Sequence, residues 1–197
     1  MNEPFNEKRF KNVLTVSRIL TIIIVSIIIF MGVLALIGTI FGMFISPTWI
    51  EFDLSQHALL FDRGPIAFSI DSLEGILSLK TILVFGGLAL IVVTGFGLMF
   101  FNNLRLLLRE VKEKRPFSST SVKHVMYMSY TLILAGIIIP IFASVFFRQI
   151  MLAVESPELS INYSPDINTI FLGLLLYLLG KIFAYGNYLQ AEVDGTV

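Results

Sequence analysis

An all-α membrane protein, built as a bundle of four transmembrane helices with a small extracytoplasmic β-hairpin cap between helices 1 and 2, is the fold class this sequence predicts. Three observations predict it. The 197 residues are 56% hydrophobic and only 14% charged, with a mean hydropathy of +0.86, whereas a soluble domain carries about 25% charged residues. The apolar residues gather into four runs, each as long as the ~20 residues a helix needs to cross a ~30 Å hydrocarbon core. Lysine and arginine collect in every second connection, as in a chain that threads a bilayer repeatedly.

Taken in order, the N-terminal tail carries Lys8, Arg9, Lys11 and Arg18 ahead of an apolar run that reaches Ile45. That run far exceeds the roughly 7–15 residues of a cleavable signal, and no small-residue cleavage motif follows. It is a first span, residues 16–44. The others cover residues 77–101, 125–152 and 167–188, and one domain, 1–197, holds all four. Inside lipid every backbone N–H and C=O must bond within its own segment, so the spans are helices.

Orientation follows from the flanks. The connection at 102–124 holds Arg105, Arg109, Lys112, Lys114, Arg115 and Lys123. The loop 45–76 holds only Arg63, and the loop 153–166 has no Lys or Arg. Positive charge stays inside, which puts both termini and the 102–124 elbow in the cytoplasm and the other two loops outside a bacterial cytoplasmic membrane.

Within the first outer loop, residues 49–54 alternate, with Ile50, Phe52 and Leu54 against Glu51 and Asp53, the period of a strand. Asp62-Arg63-Gly64-Pro65 signals a turn, after which Ile66, Phe68 and Ile70 alternate with smaller residues. These segments form the expected hairpin cap. Trp49 falls where an interfacial aromatic anchor sits.

Gly38 and Gly42 in the first span have GxxxG spacing, which lets a second backbone approach closely. Packing within the chain is the plain reading and a homodimer face the sharper one. Pro140 lies in the middle of the third span, where it removes one helical hydrogen bond and predicts a kink.

Buried charge is the usual mark of transport or catalysis inside a membrane. No Asp or Glu lies in any span, which disfavours a proton-driven transporter. Lys80 and Arg148 lie near outer ends, within snorkelling reach of water. Lys181 lies deeper, near the level of Tyr127, Tyr130, Asn102 and Asn103, and is the candidate intramembrane polar site. The chain has no cysteine, which excludes disulfides, thiolate zinc sites and cysteine nucleophiles. His57 and His124 fall on opposite sides. No protease, esterase or nucleotide-binding motif occurs, so no enzyme, cofactor, metal or direct nucleic-acid contact is expected.

The elbow is the most charged stretch. Leu104, Leu107, Leu108 and Val111 recur at helical spacing, so the second helix runs on as an amphipathic segment. Arg105, Arg109 and Lys112 lie on another face, near the anionic inner leaflet, where each cation contributes on the order of 1 kcal/mol. Arg115 precedes Pro116 and stops the helix. Ser118, Ser119 or Thr120 then caps the third span. Membrane anchoring accounts for the charge without a partner. Glu192 and Asp194 near the C-terminus offer two further outcomes, pairing with Arg109, Lys112 or Arg115, or presentation beside them to a partner.

Two segments carry a family resemblance. "RPFS" at Arg115–Ser118 leads directly into a span, and the chain ends "IFAYGNYLQAEVDGTV", or F-x-x-G-x-x-L-x-x-E-x-D-x-T-V. With the four spans, these resemble a family of bacterial membrane proteins, number twenty-nine seventy-five of the domain-of-unknown-function series. The matching positions are Pro116, Phe117, Ser118, Phe183, Gly186, Leu189, Glu192, Asp194, Thr196 and Val197. Tyr185 stands where a basic residue is usual, and Gly195 in a normally apolar slot. The resemblance implies a membrane partner that restrains, or senses for, a small helix-turn-helix DNA-binding protein. Arg105, Arg109, Lys112, Arg115, Pro116, Phe117, Glu192 and Asp194 form its candidate interaction face. A small transporter or immunity-type protein, handling a hydrophobic molecule or peptide near Lys181, is the competing reading.

Overall fold

The computed structural model describes residues 7–53, 59–63, 66–70, 76–113, 115–153 and 163–194. Four long helices dominate it: α1 (Glu7–Phe44), α2 (Leu79–Lys112), α3 (Ser119–Ala153) and α4 (Ile167–Asp194). Each is long and apolar enough to cross a membrane. This is the architecture of a multi-pass, all-α membrane protein.

All four helices outrun the lengths drawn from hydropathy. α1 begins at Glu7 instead of 16, α3 begins at Ser119 instead of 125, and α4 reaches Asp194 instead of 188, while α2 runs on past 101 to Lys112, as the spacing of Leu104 to Val111 predicts. An apolar run marks where lipid is needed, not where helical hydrogen bonding stops, and amphipathic turns extend each rod beyond it. At its other end α2 starts two residues later than 77, because Ile76–Ser78 form a strand. Ser78 then caps the helix, its Oγ accepting from the Thr81 N–H at 3.3 Å. After one α-turn the chain takes a π-helical turn at Ile82–Gly86 before regular helix resumes at Gly87.

Between α1 and α2 lie four short strands, β1 (Glu51–Asp53), β2 (Leu59–Arg63), β3 (Ile66–Ile70) and β4 (Ile76–Ser78). β2 and β3 pair antiparallel, from Leu59 opposite Ile70 to Arg63 opposite Ile66. The alternating segment that contains β1 pairs instead with β4, Phe52 opposite Leu77, and the Leu79 N–H adds a bond to the Ile50 carbonyl at 3.0 Å. The turn residues Gly64 and Pro65 lie outside the described residues. Trp49 is mostly exposed and meets the Phe41 ring edge-on, centroids 6.0 Å apart.

The chain divides into two units: residues 1–29, 96–133 and 171–197 in the first, 30–95 and 134–170 in the second. Both are built inside out relative to a soluble protein. Along α1 the buried positions are Thr21, Ala35, Thr39 and Gly42, while Ile27, Phe30, Leu34, Ile37 and Phe41 are exposed. Along α3 the buried set includes Ser121, Val125, Met128, Ser129, Thr131, Ala135 and Gly136. Lipid tails are as apolar as leucine, so large aliphatic side chains gain little by turning inward, and small residues take the contacts because they let backbones close up. Buried hydroxyls satisfy themselves on the preceding turn: Thr21 donates to the Ser17 carbonyl at 2.8 Å, Thr39 to Ala35 at 2.7 Å and Thr131 to Tyr127 at 2.7 Å. Among the described residues no buried polar side-chain atom lacks a partner.

In the second unit the GxxxG pair packs within the chain. A Cβ on Gly42 would lie 2.8 Å from Leu83 Cβ and 3.1 Å from Val84 Cγ2, both in the π-turn of α2. In the same unit Gly136 of α3 meets the start of α4. Pro140 has no N–H to give to the carbonyl four residues back, and the Asp166 backbone N–H donates to that Gly136 oxygen at 2.8 Å. The Tyr163 hydroxyl donates to the next carbonyl, Ile137, at 3.0 Å. Asp166 also caps α4: its Oδ1 accepts from the Thr169 N–H at 3.1 Å and its Oδ2 from the Thr169 hydroxyl at 2.6 Å.

Candidate functional site

Between α2 and α3 the chain turns at Glu113 and Arg115–Ser118, held by side chains of its own. Ser118 is the cap among the three candidates. Its Oγ accepts the Ser121 N–H at 3.1 Å and donates to Glu110 Oε2 at 3.0 Å. The Ser121 side chain, fully buried, reaches the Arg115 carbonyl at 3.3 Å. The serines therefore bind the turn to the first turn of α3 and to the last turns of α2.

The charges of the elbow are organised by one carboxylate. Arg109 Nε donates to Glu113 Oε1 at 3.1 Å, and Arg115 Nη2 donates to Glu113 Oε2 at 2.6 Å. The hydrogen bond from Arg109, followed by that from Arg115, holds the Glu113 carboxyl below its ordinary range. Both arginines remain mostly exposed. Arg105 bonds to Asn102 at 3.1 Å; among the described residues neither Arg105 nor Lys112 has a carboxylate partner. Glu192 is exposed near the end of α4 and is not the partner the structure gives to either arginine. The side chain of Asp194, and residues Lys114, Thr196 and Val197, lie outside the described residues.

What joins the elbow to α4 is Phe117. Its ring stands edge-on to Phe183, centroids 5.3 Å apart, and covers Gly186 so closely that a Cβ there would lie 2.9 Å from Phe117 Cδ1. A larger residue at 186 would have to push that ring aside. The two motif segments noted in the sequence, Pro116–Ser118 and the F-x-x-G of the tail, are brought together in one contact. Hydropathy gave no hint of it; the paired motifs themselves were the only signal.

Further along the same unit, Asn103 does not meet Lys181. Asn103 Oδ1 lies 3.0 Å from His124 Nδ1, and its amide donates to the Met99 carbonyl at 2.8 Å. Lys181 is exposed, its Nζ 5.2 Å from the centroid of the Tyr177 ring, one helical turn earlier. The Tyr130 ring lies 6.3 Å from that of Tyr177, and Tyr127 is exposed on the same helix as Tyr130. Tyr177 was not singled out in the sequence, although its i,i+4 spacing to Lys181 pointed there. Among the described residues no three His, Asp or Glu side chains gather as a metal site.

Residues 69–197 match the model of the family described as protein of unknown function (DUF2975). The chain belongs to this family. The match starts in β3 and takes in α2, α3 and α4, so the Phe117, Phe183 and Gly186 contact lies wholly within the DUF2975 region, whereas α1 precedes it. Searches of curated proteins and of solved structures returned no match.

Proposed function

We propose that this DUF2975 member is a non-enzymatic protein of a bacterial cytoplasmic membrane that presents its elbow and the end of α4, both cytoplasmic, to a small helix-turn-helix regulator. One observation carries the reading: Phe117, seated on Phe183 and Gly186, makes the elbow and the tail a single surface. A surface fixed in this way needs less ordering on binding than two loose segments would. Arg105, Arg109, Lys112 and Arg115 are exposed beside it, and Glu192 is exposed near its far end, so the surface offers cations and at least one carboxylate for charge complementarity.

The orientation rests on the asymmetry of Lys and Arg between connections. The two strand pairs between α1 and α2 would then lie outside. The Gly38–Gly42 face is occupied within the chain, so a homodimer is not part of this proposal. The transport reading gains nothing from Lys181, Tyr127 and Tyr130, which are exposed and not enclosed by the helices.

The test is affinity purification of the full-length protein from native membranes in mild detergent, beside a form lacking residues 188–197. A small DNA-binding protein should accompany the full chain and be lost with the tail. Retention on the truncated form would remove the tail from the interface, and its absence from both would remove the regulator. Orientation is checked separately. The chain has no cysteine, so Arg115→Cys introduces the only thiol, which should resist an impermeant maleimide on intact cells.

A further inference from the structure

Lys181 has no reason to sit where it does unless something answers its charge. It lies within the candidate span Ile167–Glu192, on the exposed surface of α4, and its one described interaction is with the face of Tyr177. A ring face at an exposed site gives a cation only about 0.5–1 kcal/mol, less than the ~2.5–3.5 kcal/mol that a lysine costs at the centre of a bilayer. Four tyrosine hydroxyls of the same unit have no described partner. Tyr127 and Tyr130 on α3, and Tyr185 and Tyr188 on α4, are 57%, 48%, 63% and 61% exposed, and no described residue hydrogen-bonds to their hydroxyls. On α4, Tyr177, Lys181, Tyr185 and Tyr188 follow at i, i+4, i+8 and i+11, which is one face of the helix.

Depth decides what can reach this face. The 26 residues of Ile167–Glu192 span about 39 Å at 1.5 Å per residue, some 9 Å more than a ~30 Å hydrocarbon core. With the surplus at the C-terminal end, Tyr188 falls at the headgroup boundary and Lys181 about 9 Å below the edge of the core at 1.5 Å per residue, a depth its stem must snorkel to cross. A second copy of the chain would bring no carboxylate to this level, since none of the apolar runs contains Asp or Glu. A soluble anion would have to leave water. A lipid phosphate is already there.

We propose that Lys181, with the hydroxyls of Tyr185 and Tyr188, holds the phosphate of one anionic phospholipid, Tyr177 keeping the ammonium on this face. The basic elbow in the same unit raises the local concentration of such lipids but is not the site.

The probe is dioleoylphosphatidylglycerol, with dioleoylphosphatidylcholine for comparison, added to the detergent-purified full chain and read by native mass spectrometry. Wild type should retain one phosphatidylglycerol in preference to phosphatidylcholine. Lys181→Gln should weaken that retention about fivefold, the ratio expected for one cation near the membrane surface. Lys181→Arg should keep it, and joint replacement of Arg105, Arg109, Lys112 and Arg115 by Gln should leave the single retained lipid in place. Lys181 is exposed, so these variants are expected to fold, and unchanged thermal unfolding verifies it. The proposal is overturned if Lys181→Gln retains phosphatidylglycerol as wild type does, if both lipids bind alike, or if only the elbow variant loses the lipid. It is equally overturned if Lys181→Gln converts a dimer to a monomer, which would make a second copy the occupant.

Discussion

Gly136→Ala is the substitution that tests how α3 and α4 are joined. Pro140 leaves the Gly136 carbonyl without its helical donor, and the Asp166 N–H takes that place at 2.8 Å. A Cβ at position 136 would lie 2.7 Å from Ile170 Cγ1, 3.0 Å from the Asp166 carbonyl oxygen and 3.1 Å from the Ile170 nitrogen. Two of these three atoms belong to the backbone at the start of α4 and cannot rotate away. The helices must part by several tenths of an ångström, which stretches the same hydrogen bond. Overpacking of this kind costs about 1–3 kcal/mol, and loss of the bond a further ~0.5–1.5 kcal/mol. Against this stands up to about 1 kcal/mol gained by replacing glycine in a helix. The net expectation is about 1–3 kcal/mol of destabilisation. At roughly 2–4 °C per kcal/mol for a chain of this size, the melting temperature in detergent should fall by about 2–12 °C. Gly95→Ala is the matched control, because nothing lies within 4 Å of a Cβ placed there; it should be neutral or slightly stabilising. In a Pro140→Ala background the helix regains its own donor to Gly136, so part of the penalty should vanish in a double-mutant cycle. If Gly136→Ala melts with Gly95→Ala, the close approach and the orphaned carbonyl are not what holds these helices together.

Three further outcomes are expected. Ser118→Ala removes the acceptor for the Ser121 N–H and the donor to Glu110, and should cost about 1–2 kcal/mol in detergent unfolding, while Ser118→Thr retains most of the stability. Phe117→Ala gives up the edge-on contact with Phe183 and uncovers Gly186; with the ring 38% exposed the loss should be about 2–3 kcal/mol, with limited proteolysis opening first at the elbow. Hydrogen bonds from the Thr169 side chain and then its backbone N–H hold the Asp166 carboxyl below its ordinary range. A lowered folded value means that the stabilisation is fully present above the unfolded value of about 3.9 and is lost as pH falls through the folded one. Wild type should therefore weaken below about pH 4 by more than Asp166→Asn does, since asparagine also caps a helix but does not titrate; matching acid profiles would refute the assignment.

The hydropathy runs disclosed the four helices because length against bilayer thickness is a one-dimensional quantity, and the elbow was legible because Leu104 to Val111 and Pro116 act through local geometry. What escaped was whatever required two distant segments to meet. Counting four residues back from Pro140 identifies Gly136 as the orphaned carbonyl, but nothing in the run around it names Asp166 as the donor. The alternation at 49–54 fixes a strand, yet not that Phe52 lies opposite Leu77, since register depends on a partner. Glu113 illustrates the opposite error. Glu192 and Asp194 are the partners that the polar tail beside the basic elbow suggests, while a carboxylate four residues after Arg109 and two before Arg115 already has both arginines within reach. A local ion pair forgoes less chain entropy than a distant one, so where both are available the near one fills first. That ordering leaves Glu192 without an ion-pair partner among the described residues, and in the proposed orientation such a charge is open to a partner at the cytoplasmic face.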